Sequence, residues 1–421
     1  MAAPSPLTAL VQIITAGVQT LESAYAAAGI PLPDLSAPFA PTLLDMDPAL
    51  FAATQGLIAA VRPPMQTVQA MTAGMHTTAT LGFVVDADVP DVLAAAGPAG
   101  IHVRELAAAT GVDADHQARV LRFLATRHVF QEVAPNTFAN NRISSMLCKT
   151  KSLDEIKADP EAKYDGAPLA AIASSLGDES LKASGYLSEF LRGGGADASA
   201  FNTAFKTPKT MWEWREEPLN MWRARRFAVG MKGGGDVFPA SIFTAGVAGD
   251  TLPADAVVVD VGGSVGSVTL KLAKAFPHLK YVVQDLQKEI AEGEKFWATS
   301  APELVSSGRV SLQVHNFFEP QPVRDAAVYF MRVVIHDWPD AAARAIMANT
   351  RAAAGAHSKL VLFDMAPFPL LANMGEAGAG FVTAVDIEMM TVFNGKERTA
   401  TGWKLEEVRP GMLFGFVYSA V

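Results

Sequence analysis

The chain has 421 residues, half of them hydrophobic and 18% charged, with a formal net charge of -9. That length allows two or three domains around a large core, and the composition excludes a disordered chain. The acidic balance excludes nucleic acid as the main partner, because such binding depends on clustered Lys and Arg.

Cys148 is the single cysteine, so no intrachain disulfide forms and a reducing compartment is expected. No Lys or Arg precedes Arg62, which leaves out the basic region of a secretory signal. No apolar run reaches the roughly 18 residues of a membrane span. A cytoplasmic protein without membrane contact is expected.

In chain order, residues 8–28 carry Leu10, Ile13, Ile14, Val18 and Leu21 on one helical face and stop at Gly29. Helix-like runs follow over 47–61 and 65–82, separated by Pro63 and Pro64. From Val89 to Ile143 the pattern is three short helices and a hairpin turning at Pro135-Asn136, the shape of a winged helix. Six Lys and Arg face seven Asp and Glu over residues 86–150, so the module reads as packing or dimerisation rather than DNA recognition. Residues 151–207 read as a polar connection with some helix. The segment 211–233 reads as a Trp-rich stretch and a helix with a basic middle at Arg223, Arg225 and Arg226. The glycines at 233–235 mark a hinge. From 256 on, strands and helices alternate as in a doubly wound sheet. The expected division is 1–150 helical and winged-helix, 151–235 connecting, and 236–421 α/β.

Between the first of these strands and its helix lies Asp260-Val-Gly262-Gly263-Ser-Val-Gly266. Glycines there let the chain turn sharply and let a ligand approach the backbone at the positive end of a helix. Asp285, at the end of the next strand, is placed to accept from the hydroxyls of a ribose. The dinucleotide fingerprint would put a glycine at 260; a carboxylate there repels a pyrophosphate and attracts an ammonium and a sulfonium. The turn therefore favours S-adenosylmethionine over NAD.

The fourth of these strands is read as ending on His336, in VVIHDWPD. A strand-end histidine lies in the crevice where such folds bind ligands. Its ordinary pKa suits it to take a proton from a phenol, which at a pKa near 10 is a poor nucleophile at pH 7. Asp364 and Glu397 are candidate orienting acids. Asp337 is set aside because neighbours in an extended chain point opposite ways. The histidines show no metal-ligand spacing, so no metal is expected.

VVDVGGSVGSVTLKLAKAFPHLKYVVQDL, HNFF, MRVVIHDWPD, LVLFDMAP and FNGKERT, in that order, closely resemble the plant and fungal S-adenosylmethionine-dependent O-methyltransferases of the caffeate and flavonoid type. GIHVRELAAATGVDADHQARVLRFLATRHVFQEV resembles that family's winged-helix dimerisation module. The resemblance implies an α/β fold: a Rossmann-like doubly wound methyltransferase domain behind an N-terminal helical and winged-helix dimerisation domain. It implies an intertwined homodimer of secondary metabolism. It places Asp260, Gly262, Gly263, Gly266, Asp285, Asn316, Phe317 and Arg332 around the cofactor. His336 matches the general base, and Asp364 and Glu397 match the two acids that flank it. Asn316, Phe317 and Arg332 stand where the family more often has Asp, Met and Lys, Asp364 where plant members have Glu, and FNGKERT is shorter than in those members. Met331, Met389 and Met390 are candidates for an aromatic slot or for the core. The implied reaction is methylation of a phenolic hydroxyl on a small aromatic substrate; the alternative is a silent methyltransferase-like regulator.

Overall fold

A computed structural model describes residues 5–39, 48–193, 198–237, 240–364 and 375–398. The chain divides into two compact units, one of Met1–Leu191, Phe201–Gly234 and Ala372–Gly380, the other of Arg192–Ala200, Gly235–Leu371 and Phe381–Val421.

In the first unit the helix Pro6–Ala28 starts where Ser5 accepts a hydrogen bond from the Thr8 amide and stops at Gly29 with φ of 66°. Pro48–Val61 is the second helix. The run read as one helix over 65–82 is two, Pro64–Thr72 and Gly74–Asp86, because Ala73 caps the first with ψ near zero. The winged helix holds helices Val89–Ala96, Val103–Thr110 and Ala114–Ala125 with strands β1 (Ile101–His102), β2 (Gln131–Ala134) and β3 (Thr137–Ala139), ordered β1-β3-β2 and antiparallel. Two residues are too few for periodicity to reveal, so β1 escaped the sequence. Leu93, Leu106, Leu121, Leu124 and Phe138 close this core, each burying apolar surface that contributes roughly 1.5–3 kcal/mol.

The segment read as connection is largely helical and carries a buried charge network. A π-turn, Leu176–Ser180, brings Asp178 and Glu179 to the fully buried Arg226, which also donates to Ser174 Oγ at 2.6 Å. Arg223 pairs with Asp178 and Arg225 with Asp165, so the basic middle of the helix Met221–Val237 is consumed inside the unit. That helix runs through the glycines expected to form a hinge. A β-carbon at Gly233 would lie 2.0 Å from Pro168 Cβ, so close packing requires this glycine.

The second unit is built on five parallel strands: β4 (Val257–Val261), β5 (Lys280–Asp285), β6 (Val310–Val314), β7 (Val328–Arg332) and β8 (Lys359–Phe363). Their order is β6-β5-β4-β7-β8. Helices Ser267–Ala275, Gln287–Ser300 and Asp340–Ala353 make the crossovers. Val258, Phe330 and Val361 belong to one buried cluster, Val259, Tyr329 and Leu362 to another. Successive residues on a strand thus face different cores, which is why the strands read as unbroken apolar runs. The order reverses between β4 and β7, and their carboxyl ends define the crevice such sheets use for ligands. Among the described residues no helix is long and apolar enough to cross a membrane.

Candidate active site

The turn after β4 is built around Asp260 and Asp285. Gly262 adopts φ of 72° and Gly266 of 83°, both left-handed. The Gly262 and Gly263 amides donate to the Gln284 carbonyl at 2.9 and 3.0 Å. A β-carbon at Gly262 would lie 2.9 Å from Val334 Cγ2, and one at Gly263 2.6 Å from the Asp260 carboxyl carbon. Gly266 is closed in by Trp297 Nε1, which donates to the Val265 carbonyl.

Asp260 is buried beneath the turn and accepts from Thr269 Oγ1 at 2.5 Å. Burial pushes its pKa up to about 6, against the Thr269 hydroxyl and the Arg332 charge. Asp285 accepts from the Ser264 amide at 2.8 Å and from the Leu286 amide at 2.7 Å. Burial also raises it to about 6, with these two amides opposing, and each oxygen keeps a further lone pair for a hydroxyl donor. Asn316 is exposed and its Oδ1 accepts from the Phe318 amide at 3.0 Å. Phe317 meets Phe318 and Trp338 edge-on at 5.2 and 5.9 Å.

His336 is not on the strand. β7 ends at Arg332 because Val333 turns the chain at φ of 55°, a strained conformation for a β-branched residue. His336 follows in a 3-10 turn, Ile335–Asp337, and is 4% exposed. Its Nδ1 lies 2.5 Å from Glu397 Oε1. The turn also overturns the exclusion of Asp337, since the chain there is not extended and Asp337 Oδ1 lies 3.5 Å from His336 Nε2. Burial lowers the His336 pKa, but the charges of Asp337, Glu397 and Asp364 outweigh it and carry it up to about 9.

The two flanking acids differ. Glu397 is buried, its amide donates to Asp386 Oδ1 at 2.8 Å, and its Oε2 has no hydrogen-bond partner among the described residues. Asp364 stands just past β8, its carboxylate faces the Val333 and Val334 amides, and its charge raises the His336 pKa. Burial raises both acids while His336 pulls them down. Met331 is buried in a core cluster.

A crevice with a glycine cradle on one side and a carboxylate-held histidine on the other matches a family model described as an O-methyltransferase domain over residues 185–408. A second, the O-methyltransferase dimerisation domain, matches residues 70–150. The chain belongs to the O-methyltransferase family. This O-methyltransferase is 35% identical to an O-methyltransferase of Armillaria gallica over 96% of both chains. It is 34% identical to 4-O-methyltransferase 1 of Phanerochaete chrysosporium over 97% of this chain and 94% of that one. Among solved structures it shares the fold of OxaC in complex with SAH and oxaline, with a TM-score of 0.70, 21% identity and 94% and 91% of the two chains covered. It also shares that of LepI with SAM, at 0.67, 22%, 94% and 92%.

The methyl donor of this O-methyltransferase is S-adenosylmethionine, and the turn fits it. Gly262 and Gly263 let the turn close against Val334 and Asp260, where a β-carbon would collide, and Asp285 anchors the turn through the Ser264 amide.

Besides Asp337, sequence reasoning missed Ser264, Thr269 and Asp386, which bond to the acids or their backbone, and Arg398, which bonds the Ile335 and Trp338 carbonyls on either side of His336. The signal for Arg398 was present, since it stands next to Glu397 in FNGKERT.

Proposed function

We propose that this O-methyltransferase methylates the phenolic hydroxyl of a small aromatic acceptor, with His336 as general base, as a cytoplasmic homodimer. The observation that carries this reading is the buried His336 imidazole, bonded through Nδ1 to Glu397. That bond commits one ring nitrogen and leaves Nε2 to accept a proton.

Asp285, Gly262 and Gly263 would hold S-adenosylmethionine, with Asp260, Gly266, Asn316, Phe317 and Arg332 around it; when bound it supplies an electrophilic methyl group on a sulfonium. His336 Nε2 would take the phenol proton, while the electron pair of the broken methyl–sulfur bond would stay on sulfur, leaving S-adenosylhomocysteine and a methyl ether. Glu397 fixes the ring and, with Asp337 and Asp364, stabilises the imidazolium. An imidazolium near 9 is well matched to a phenol near 10, so the proton moves at little cost.

The test is transfer of labelled methyl from S-adenosylmethionine to a panel of phenols by wild type and His336→Ala. Loss of about 100-fold or more in the variant is expected. Equal activity in the variant would remove His336 from the chemistry, and a wild type that methylates amines or carboxylates in preference to phenols would overturn the acceptor class.

A further inference from the structure

We propose that Arg398 is a positioning residue for the acid–base pair: its guanidinium locks the short turn carrying His336 against the segment carrying Glu397. The inference rests on the base role of His336 given above. His336 and Glu397 are 61 residues apart in sequence, and neither sits on an element that is rigid by itself. Ile335–Asp337 is one 3-10 turn behind a strained Val333, and such turns are weak in isolation. Residues 395–398 belong to no helix or strand.

Arg398 supplies what these segments lack. It is 7% exposed and its donors bracket His336. Nη1 donates to the Ile335 carbonyl at 3.0 Å and Nη2 to the Trp338 carbonyl at 2.7 Å. Nε and Nη2 both reach Asp340 Oδ1, at 3.1 and 2.9 Å. Lys396 completes the seam: its amide donates to the His336 carbonyl at 3.0 Å and its ammonium meets Asp340 Oδ2 at 2.7 Å. Gly395 permits the approach, since a β-carbon there would lie 2.1 Å from the His336 carbonyl oxygen. From the far side Asp386 holds the Glu397 amide.

An ammonium could pair with Asp340 but could not also span two carbonyls, because that geometry needs a rigid fork of donors. The charged groups facing the imidazole are Asp337, Asp364 and Glu397, with Arg398 and Asp386 facing the two acids. Loosening the seam moves Glu397 and leaves Asp337, which travels with His336, in place.

The experiment compares full-length wild type, Arg398→Met and Arg398→Lys for kcat, S-adenosylmethionine binding by calorimetry, and the pH dependence of kcat/KM. Arg398→Met is expected to lose about 100-fold in kcat, the scale of a displacement of about 1 Å at a reacting group. Its cofactor Kd should stay within about threefold, and the break in its pH profile should move from that of wild type toward the ordinary histidine value of about 6.5. Arg398→Lys should fall between the two. An unmoved break, or activity lost only in proportion to the folded fraction, would make Arg398 merely structural and overturn the proposal. If Arg398→Met does not fold, the break of Arg398→Lys decides in the same way. Failure of the base role itself shows separately, as wild-type activity in His336→Ala with Arg398 intact.

Discussion

At His336 burial and charge pull against each other, and the balance sets a pH dependence. The imidazolium is held near 9, and the proposed base role needs the neutral ring. The logarithm of kcat/KM should therefore rise with pH across the neutral range and level off above about 9. Glu397→Gln keeps an acceptor for Nδ1 but removes its charge, so the break should move to lower pH and kcat should fall, as a pH–rate series will show. Gly262→Ala tests the cradle. Its β-carbon meets Val334 and its φ is left-handed, a conformation that costs an alanine roughly 1–2 kcal/mol, so S-adenosylmethionine should bind at least about tenfold more weakly by calorimetry. Gly262, Asp285 and His336 were legible because each stands at a sequence boundary between element types. Asp337 was not, because a strand was assumed where Val333 ends it, and nothing in a Val-Val pair announces a left-handed turn.

At the scale of elements, the charge network of the first unit should be expensive to break. Glu179 and Arg226 have fully buried side chains, and removing one partner of such a pair costs about 3–5 kcal/mol. Glu179→Ala should unfold the first unit at much lower denaturant, because it removes the carboxylate that both Arg226 and the buried Arg215 face. Gly82 and Gly177 bring two backbones together, since a β-carbon on Gly82 would lie 2.8 Å from Gly177 Cα. Gly82→Ala should lower stability by about 1–3 kcal/mol, seen as a reduced midpoint in urea. Helical and strand periods revealed most elements, since burial imposes those periods on sequence. They could not reveal that Asp178 and Glu179 turn inward, because a π-turn shifts the period there, nor that Gly233 serves packing.

Across the molecule, the helices over 64–86 leave Met65, Val68, Met71 and Met75 between 58% and 75% exposed, in a region overlapping the dimerisation domain. Apolar side chains this exposed, clustered on consecutive helices, mark an association surface. Met65→Asp with Met71→Asp should shift the proposed dimer toward monomer in light scattering at micromolar concentration. The α/β class and the family were readable because five motifs recur in the order of the strands. The acceptor was not, because selectivity lies in pocket shape rather than in any spacing.

The strand order has a kinetic consequence. β4 pairs with β5, its neighbour in sequence, and with β7, made only after β5, β6 and their helices. During synthesis, or on dilution from denaturant, β4 therefore presents an unpaired apolar edge until two further α/β segments have emerged and collapsed. Contacts closed across so much chain form slowly, and waiting edges are where neighbouring molecules join. Yield of active protein should depend on how crowded the nascent chains are during that interval, and slower synthesis at reduced temperature should raise it.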